Sequence, residues 1–192
     1  MALAHAILAS LMKQPATGYD LAKEFDRVVS HFWHATHQQI YRELSIMEKD
    51  AWVKSKTSKQ KDKPDRKVYS ITALGRKVLA AWVAQPVPVS GMREDLMVKL
   101  QAGTAVAPGV LLEEIARHGQ SHQGTLQFYE KVLTSKYPDA GQGKANEVLE
   151  YLVLRCGILY EQAYLNWCNE AMAVIAANED INTSSTPDGA DQ

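Results

Sequence analysis

Apolar residues recur at helical spacing from the start of the chain. Leu3, Ile7, Leu8, Leu11 and Met12 share one face, and Gln14-Pro15-Ala16-Thr17-Gly18 ends the run, so a helix is predicted over 2–12. Leu21, Ala22, Phe25 and Val29 predict a second over 19–29. A connection over 30–35 follows, and its Phe32 and Trp33 are too large to leave in water. Thr36 stands where an N-cap belongs, opening a third helix that runs to about 49. The period then changes to two. Trp52-Val53-Lys54-Ser55-Lys56-Thr57 and Lys67-Val68-Tyr69-Ser70-Ile71 alternate around a polar tip holding Pro64, which predicts a β-hairpin. Thr72 caps a fourth helix ending near 84, and Gln85-Pro86-Val87-Pro88 is a stiff connector. Helix–helix–helix–strand–strand–helix is the order of a winged helix.

The remaining chain is helical in pattern. A short helix is predicted over 92–102. A long one over 108–135 carries Ile115, His122, Leu126, Tyr129 and Leu133 every three or four residues, and Tyr137-Pro138-Asp139-Ala140-Gly141 breaks it. The last runs over 144–177. Leu149, Val153, Cys156, Tyr160, Ala163 and Trp167 form one stripe, with Leu152, Leu159 and Leu165 beside it. Apolar cover that wide needs two neighbours, and one chain supplies only one long partner. The extra face is therefore expected to be a dimer interface. The tail from Asn178 is rich in Ser, Thr, Asp and Gly and is expected to be disordered. The fold class is mainly α with a small β-hairpin: a winged helix-turn-helix over 1–85, a helical dimerisation and effector domain over 91–177, and a tail over 178–192.

Charge adds function to this picture. Lys54 to Lys77 holds nine Lys or Arg against Asp62 and Asp65, a local balance of +7 in a chain of net charge −1. Residues 1–90 carry 14 basic and 8 acidic side chains, and residues 91–192 carry 7 and 14. The first half suits a polyanion; the second would repel phosphate and suits protein or a small ligand. Met1 leads directly into a periodic segment with no basic lead, long apolar run or cleavage site, so a cytoplasmic protein with no membrane association is expected. Cys156 and Cys168 lie about 18 Å apart along one helix, too far to pair within it, and are expected as reduced core thiols.

On a wheel of the third helix, Ile40, Leu44 and Met47 cluster within about 60°. Roughly 140° to 200° away stand Gln38, Arg42, Ser45 and Lys49. Gln can pair with adenine, Arg with guanine, Ser with either and Lys with phosphate. Thr36, His37 and Gln39 occupy the first turn, the end that enters the major groove in helix-turn-helix docking. Any surface helix shows Gln, Arg and Lys outward. The cationic hairpin immediately downstream is what turns this face toward double-stranded DNA. Lys59, Lys61, Lys63, Arg66 and Lys67 would act there as point charges on the backbone or minor groove.

Several stretches together carry a resemblance: Gly18-Tyr19-Asp20-Leu21, Phe32-Trp33, His37-Gln38-Gln39-Ile40-Tyr41-Arg42-Glu43-Leu44 and Pro64-Asp65-Arg66-Lys67-Val68-Tyr69-Ser70-Ile71-Thr72. Arg93-Glu94-Asp95-Leu96-Met97-Val98-Lys99-Leu100 and Tyr151-Leu152-Val153-Leu154 continue it beyond the connector. The chain resembles the PadR family of transcriptional regulators, in the subgroup with a long virulence-activator-like C-terminal domain that includes repressors of phenolic acid decarboxylase genes. The resemblance implies a homodimer held by C-terminal helices, an inverted-repeat operator, and an approach of Tyr41 to DNA. Many members have Gly after the recognition helix where this chain has Asp50-Ala51, so Asp50 is expected in the left-handed conformation. The wing tip lacks the family's common Gly.

Other chemistry is weaker. His31, His34 and His37 recur every three residues, but zinc needs ligands converging on one point and these need not share a face; no metal and no cofactor are assigned. An aromatic effector would want an apolar cleft with a few polar groups. Trp82, Met97, Tyr151, Tyr160, Tyr164 and Trp167 are candidates to line one between the winged helix and the last helix, with Arg93 or Arg155 for a carboxylate. Taken singly, each reads more simply as a core or dimer packing residue, and either Arg could equally bridge Glu on a neighbour. No Gly-rich phosphate loop, nucleophile elbow, zinc-protease pair or isolated carboxylate dyad is present, so catalysis is not expected. The reading is a dimeric DNA-binding repressor released by a small aromatic effector such as a phenolic acid. The alternatives are an activator, a sensor of other lipophilic or multidrug ligands, or an adaptor that has lost DNA binding.

Overall fold

The computed structural model describes residues 2–25, 35–60, 63–89, 91, 93–139, 141–178 and 181, with side chains at all of these except 58–60 and 63–65. The loop with Phe32 and Trp33, the end of the second expected helix, His31, His34, Lys61 and nearly all of the tail lie outside the described residues, as do the side chains of Lys59 and Lys63. The chain divides into two compact units, Met1–Ser90 and Gly91–Gln192.

In the first unit the elements are α1 (Ala2–Lys13), β1 (Ala16–Thr17), α2 (Gly18–Glu24), α3 (His37–Lys49), β2 (Val53–Gln60), β3 (Lys63–Ile71) and α4 (Ala73–Val83). Threonine starts three of the helices. Thr17, Thr36 and Thr72 each accept a backbone N–H from the third residue of their helix, and Asp20 and Gln39 reciprocate at the first two. Each such cap is worth about 1 kcal/mol. The sheet is antiparallel with order β1-β3-β2, Val53 opposite Ile71 and Ala16 opposite Tyr69. β1 is an addition to the expected hairpin.

The core of this unit takes Ile7, Leu8 and Leu11 from α1, Leu21 and Phe25 from α2, and Ile40, Leu44 and Met47 from α3, closed by Val53, Tyr69 and Ile71. Truncating a fully buried member such as Leu44 to Ala costs about 2–5 kcal/mol. α3 therefore has a fixed roll: three apolar anchors hold one side down and leave the other in solvent.

After α3 the chain turns through Ala51, whose φ is 56°; Asp50 has φ −80°. The left-handed residue is thus Ala51, not Asp50 as expected. Two backbone bonds choose it. Trp52 N–H donates to Met47 O at 2.8 Å and Ala51 N–H donates to Glu48 O at 3.1 Å, the paired bonds of a Schellman terminus. The carbonyl of Trp52 then receives the Thr72 N–H at 3.0 Å, and a Cβ on Gly75 would lie 2.1 Å from that oxygen. Only Gly lets α4 start so close to the sheet.

The second unit contains α5 (Asp95–Gln101), a single 3-10 turn (Gly103–Ala105), α6 (Pro108–Lys136) and α7 (Ala145–Ala177). α6 and α7 form an antiparallel hairpin. Leu96, Leu111, Ile115, Tyr164, Cys168 and Ile175 make one core, and Leu126, Tyr129 and Ile158 make another nearer the turn. The face of α7 packed on α6 thus runs through Ile158, Tyr164 and Cys168, while Leu149, Leu152, Val153, Leu159 and Tyr160 are more than half exposed. Cys156 is exposed on that outer stripe, correcting its expected place in the core; Cys168 is buried. Among the described residues no helix is long and apolar enough to cross a membrane.

Candidate nucleic-acid interface

α3 presents Thr36, His37, Gln38, Gln39, Tyr41, Arg42, Ser45 and Lys49 on its exposed side. Their chemistry is not uniform once hydrogen bonds are assigned. Gln39 Oε1 accepts the Thr36 N–H at 2.8 Å and Thr36 Oγ1 accepts the Gln39 N–H at 3.2 Å, so both side chains are engaged in starting the helix. Ser45 Oγ donates to Tyr41 O at 3.0 Å, which leaves its lone pairs outward and its proton occupied. Gln38, Arg42 and Lys49 are solvent-exposed. Tyr41 is 46% exposed, and the rest of its ring lies across the start of α2, where a Cβ on Gly18 would sit 2.4 Å from the ring. Gly18 is thereby tied to the pose of Tyr41. Tyr19, next in the chain, is 61% exposed. Sequence reasoning left Tyr19 out, although a large aromatic in the first turn of a helix-turn-helix, with only the small Ala22 at i+3 and Lys23 at i+4, was a usable signal.

The wing is β2 and β3, paired from Val53↔Ile71 to Gln60↔Lys63 with an irregularity between Ser58 and Gln60. Arg66 and Lys67 face carboxylates. Arg66 Nη2 lies 3.0 Å from Asp20 Oδ2 and Lys67 Nζ lies 2.7 Å from Glu48 Oε2. Lys67 also sits over the Tyr69 ring at 5.1 Å. Glu48 accepts from Ser55 as well, and these bonds, that from Lys67 first, hold its carboxyl below the usual range. The Thr17 hydroxyl and then Arg66 do the same for Asp20, while Glu48 raises Lys67. The pairs are exposed, so each contributes little to stability. They orient the base of the wing against α2 and α3.

Within the second unit the candidate effector residues fall into two separate groups. Trp82 belongs to the first unit, where its ring stacks on His5 at 4.5 Å. In the second unit Met97 and Trp167 pack on the Leu96–Ile115–Tyr164 core. Tyr164 lies against His122 at 3.8 Å, with Tyr160 at 6.2 Å and Trp167 at 5.4 Å. His122 Nδ1 meets Glu161 Oε2, a pair of a half-buried imidazole and a buried carboxylate that no sequence pattern marks. The Tyr164 hydroxyl is buried without a hydrogen-bond partner among the described residues. Burial, with the Glu94 charge second, pushes its pKa up to about 12, so it stays a neutral donor. Arg93 is exposed. Tyr151 and Arg155 line a different concavity, at the turn between α6 and α7. No group of three His, Cys, Asp or Glu among the described residues could hold a metal ion.

Residues 7–81 match the transcriptional regulator PadR-like family, and residues 92–176 match the virulence activator alpha C-terminal family. The probable transcriptional regulator Rv1176c of Mycobacterium tuberculosis is 36% identical over 180 residues, covering 88% of this chain and 95% of that protein. The chain belongs to the PadR-like family, whose members are transcriptional regulators and not enzymes. The Vibrio cholerae virulence activator AphA superposes with a TM-score of 0.74 at 31% identity, covering 91% of this chain and 98% of its own. Bacillus subtilis PadR in complex with operator DNA gives a TM-score of 0.81 at 23% identity over 91% and 99% of the two chains. The same protein in complex with p-coumaric acid gives 0.77 at 22% over 92% and 99%.

Proposed function

We propose that this regulator works in the cytoplasm as a homodimer and binds an inverted-repeat operator through α3 and the wing. In this reading it represses transcription, and a small aromatic effector such as a phenolic acid releases it. The observation that carries the reading is the solvent-facing side of α3, where Gln38, Arg42 and Lys49 have no hydrogen-bond or ion-pair partner among the described residues and Tyr19 and Tyr41 stand beside them, next to a lysine-rich hairpin. The operator complex of the B. subtilis relative supports the mode of binding, and its p-coumaric acid complex supports the effector class. The exposed apolar stripe of α7 supports the dimer. Two recognition helices would have to lie about 34–36 Å apart to meet successive major grooves. An effector shifts that geometry only by binding one arrangement more tightly than the other. The Tyr160–Tyr164–Trp167 cluster, with an unsatisfied hydroxyl and Met97 beside it, is the best supported place for it.

The test is anisotropy on DNA from upstream of the protein's own gene, with and without p-coumarate, at several salt concentrations. Lys61→Ala with Lys63→Ala should weaken binding to every sequence alike and flatten the salt slope. Gln38→Ala should relax one base preference by about 1–3 kcal/mol. Equal loss for all sequences in both variants contradicts the assignment. The identity to a virulence activator favours one second reading, that the sign of regulation is positive. A promoter–reporter fusion read with and without the regulator separates the two.

A further inference from the structure

We infer that the turn between α6 and α7 holds a second small-molecule site, for a carboxylate carried on an aromatic ring, separate from the Tyr164 cluster and outside the regulator reading above. A cavity of about 390 Å³ opens there, lined by Leu133, Thr134, Tyr137, Pro138, Tyr151 and Arg155. That volume is in the range of small-ligand sites. Tyr151 and Tyr164 are both on α7, thirteen positions apart, which separates them by about 20 Å along the axis. One ligand of phenolic-acid size cannot span both.

The lining has the parts such a ligand needs. Tyr137 and Tyr151 meet edge-on, with centroids 6.2 Å apart and planes at 66°, which leaves an aromatic wall beside the apolar surface of Leu133 and Pro138. Gly141 fixes that wall. Its φ is +87° and a Cβ would lie 3.2 Å from the Tyr151 ring, so the turn is shaped to bring backbone against the tyrosine. Arg155 supplies the charge. It is half-buried, and no described residue pairs with its guanidinium. The neighbouring carboxylate, Glu150, is engaged elsewhere: Lys136 Nζ donates to it at 2.6 Å and the Tyr137 hydroxyl at 2.8 Å. With no carboxylate paired to it among the described residues, the guanidinium is left to bind a ligand carboxylate bidentately. Thr134 donates to Glu130 O at 2.9 Å and keeps its lone pairs for a ligand hydroxyl.

The test uses the full-length protein and its backbone amide spectrum, titrated with benzoate and, separately, with uncharged benzamide. Benzoate should shift the amides of 133–137 and 151–155 saturably, and benzamide should bind roughly tenfold more weakly or worse. Arg155→Met should remove the difference between the probes, and Arg155→Lys should restore part of it. Thr134→Glu, which places a carboxylate inside the cavity at a helix position tolerant of it, should block benzoate even if Arg155→Met proves unstable. Equal shifts from both probes, no saturable shift, or benzoate binding unchanged in both variants overturns the inference. Release from DNA by p-coumarate should persist in Arg155→Met. If that release is lost, the cavity is the effector site itself and the claim of a second site is wrong; if wild-type protein never responds to p-coumarate, the effector reading fails while this one stands.

Discussion

Ala51→Gly should stabilise the winged-helix unit. Ala51 holds φ 56° because its N–H and that of Trp52 close the end of α3 onto Glu48 and Met47. The Thr72 hydroxyl also fixes its carbonyl at 2.7 Å, so the residue cannot relax to a commoner conformation. An L-residue in the left-handed region costs about 1–2 kcal/mol that glycine escapes. Glycine gives back about 0.4–1 kcal/mol through the larger entropy of the unfolded chain. The net gain is about 0.5–1 kcal/mol, or roughly 2–8 °C in Tm for a unit of this size. Three of the four tryptophans, Trp33, Trp52 and Trp82, are in this unit, so urea unfolding followed by tryptophan emission reads it directly. The midpoint should rise with an unchanged slope. Asp50→Gly is the control, with φ −80°, and should destabilise. DNA affinity should not move in Ala51→Gly, because the backbone path is retained. A midpoint unchanged or lowered, with Asp50→Gly stabilising instead, would refute the account of this turn.

Three further outcomes are expected. Gly75→Ala should cost at least about 2 kcal/mol, since its Cβ would meet the Trp52 carbonyl at 2.1 Å, and thermal melting measures the loss. Leu152→Asp with Leu159→Asp should give a monomer by sedimentation with the helical circular dichroism largely kept, and affinity for a two-half-site operator should fall by about 10²–10⁴-fold as avidity is lost. Arg117 and then Lys99 hold the Glu114 carboxyl at about 2, below its ordinary value of 4.5. A depressed carboxyl stabilises fully above its unfolded value and loses that contribution as pH falls through the folded one. The melting advantage of wild type over Glu114→Gln should therefore be constant above pH 4.5 and vanish toward pH 2; an advantage that persists there removes this ion cluster as its source.

Most of the fold was legible because local chemistry and periodicity agree. Thr36 and Thr72 mark helix starts at the residue, Ile40, Leu44 and Met47 give the roll of α3, and the change of period at Trp52 gives the hairpin. What was hidden depends on distant chain. β1 is two residues long, too short for any period, and exists because β3 offers it an open edge. Asp is the better left-handed residue by type, yet Ala51 takes the position because the bonds to Met47 and Glu48 fix the count from the end of α3. His122 and Glu161 are 39 positions apart on helices whose mutual register no sequence pattern reveals. The proposed effector residues suffered from the same gap. Their spacing along α7 is readable, but which of them α6 covers is not, so Tyr151 and Tyr164 group together in the sequence although they lie about 20 Å apart along the helix.

The ion pairs at the base of the wing bear on how a duplex would be met. Asp20 and Glu48 hold Arg66 and Lys67 in place, so both cations are already oriented and paired when no nucleic acid is near. A phosphodiester approaching them would have to trade places with a resident anion, and few mobile counterions would be set loose at these two positions. The ionic-strength dependence of binding should accordingly fall short of what a tally of wing cations gives.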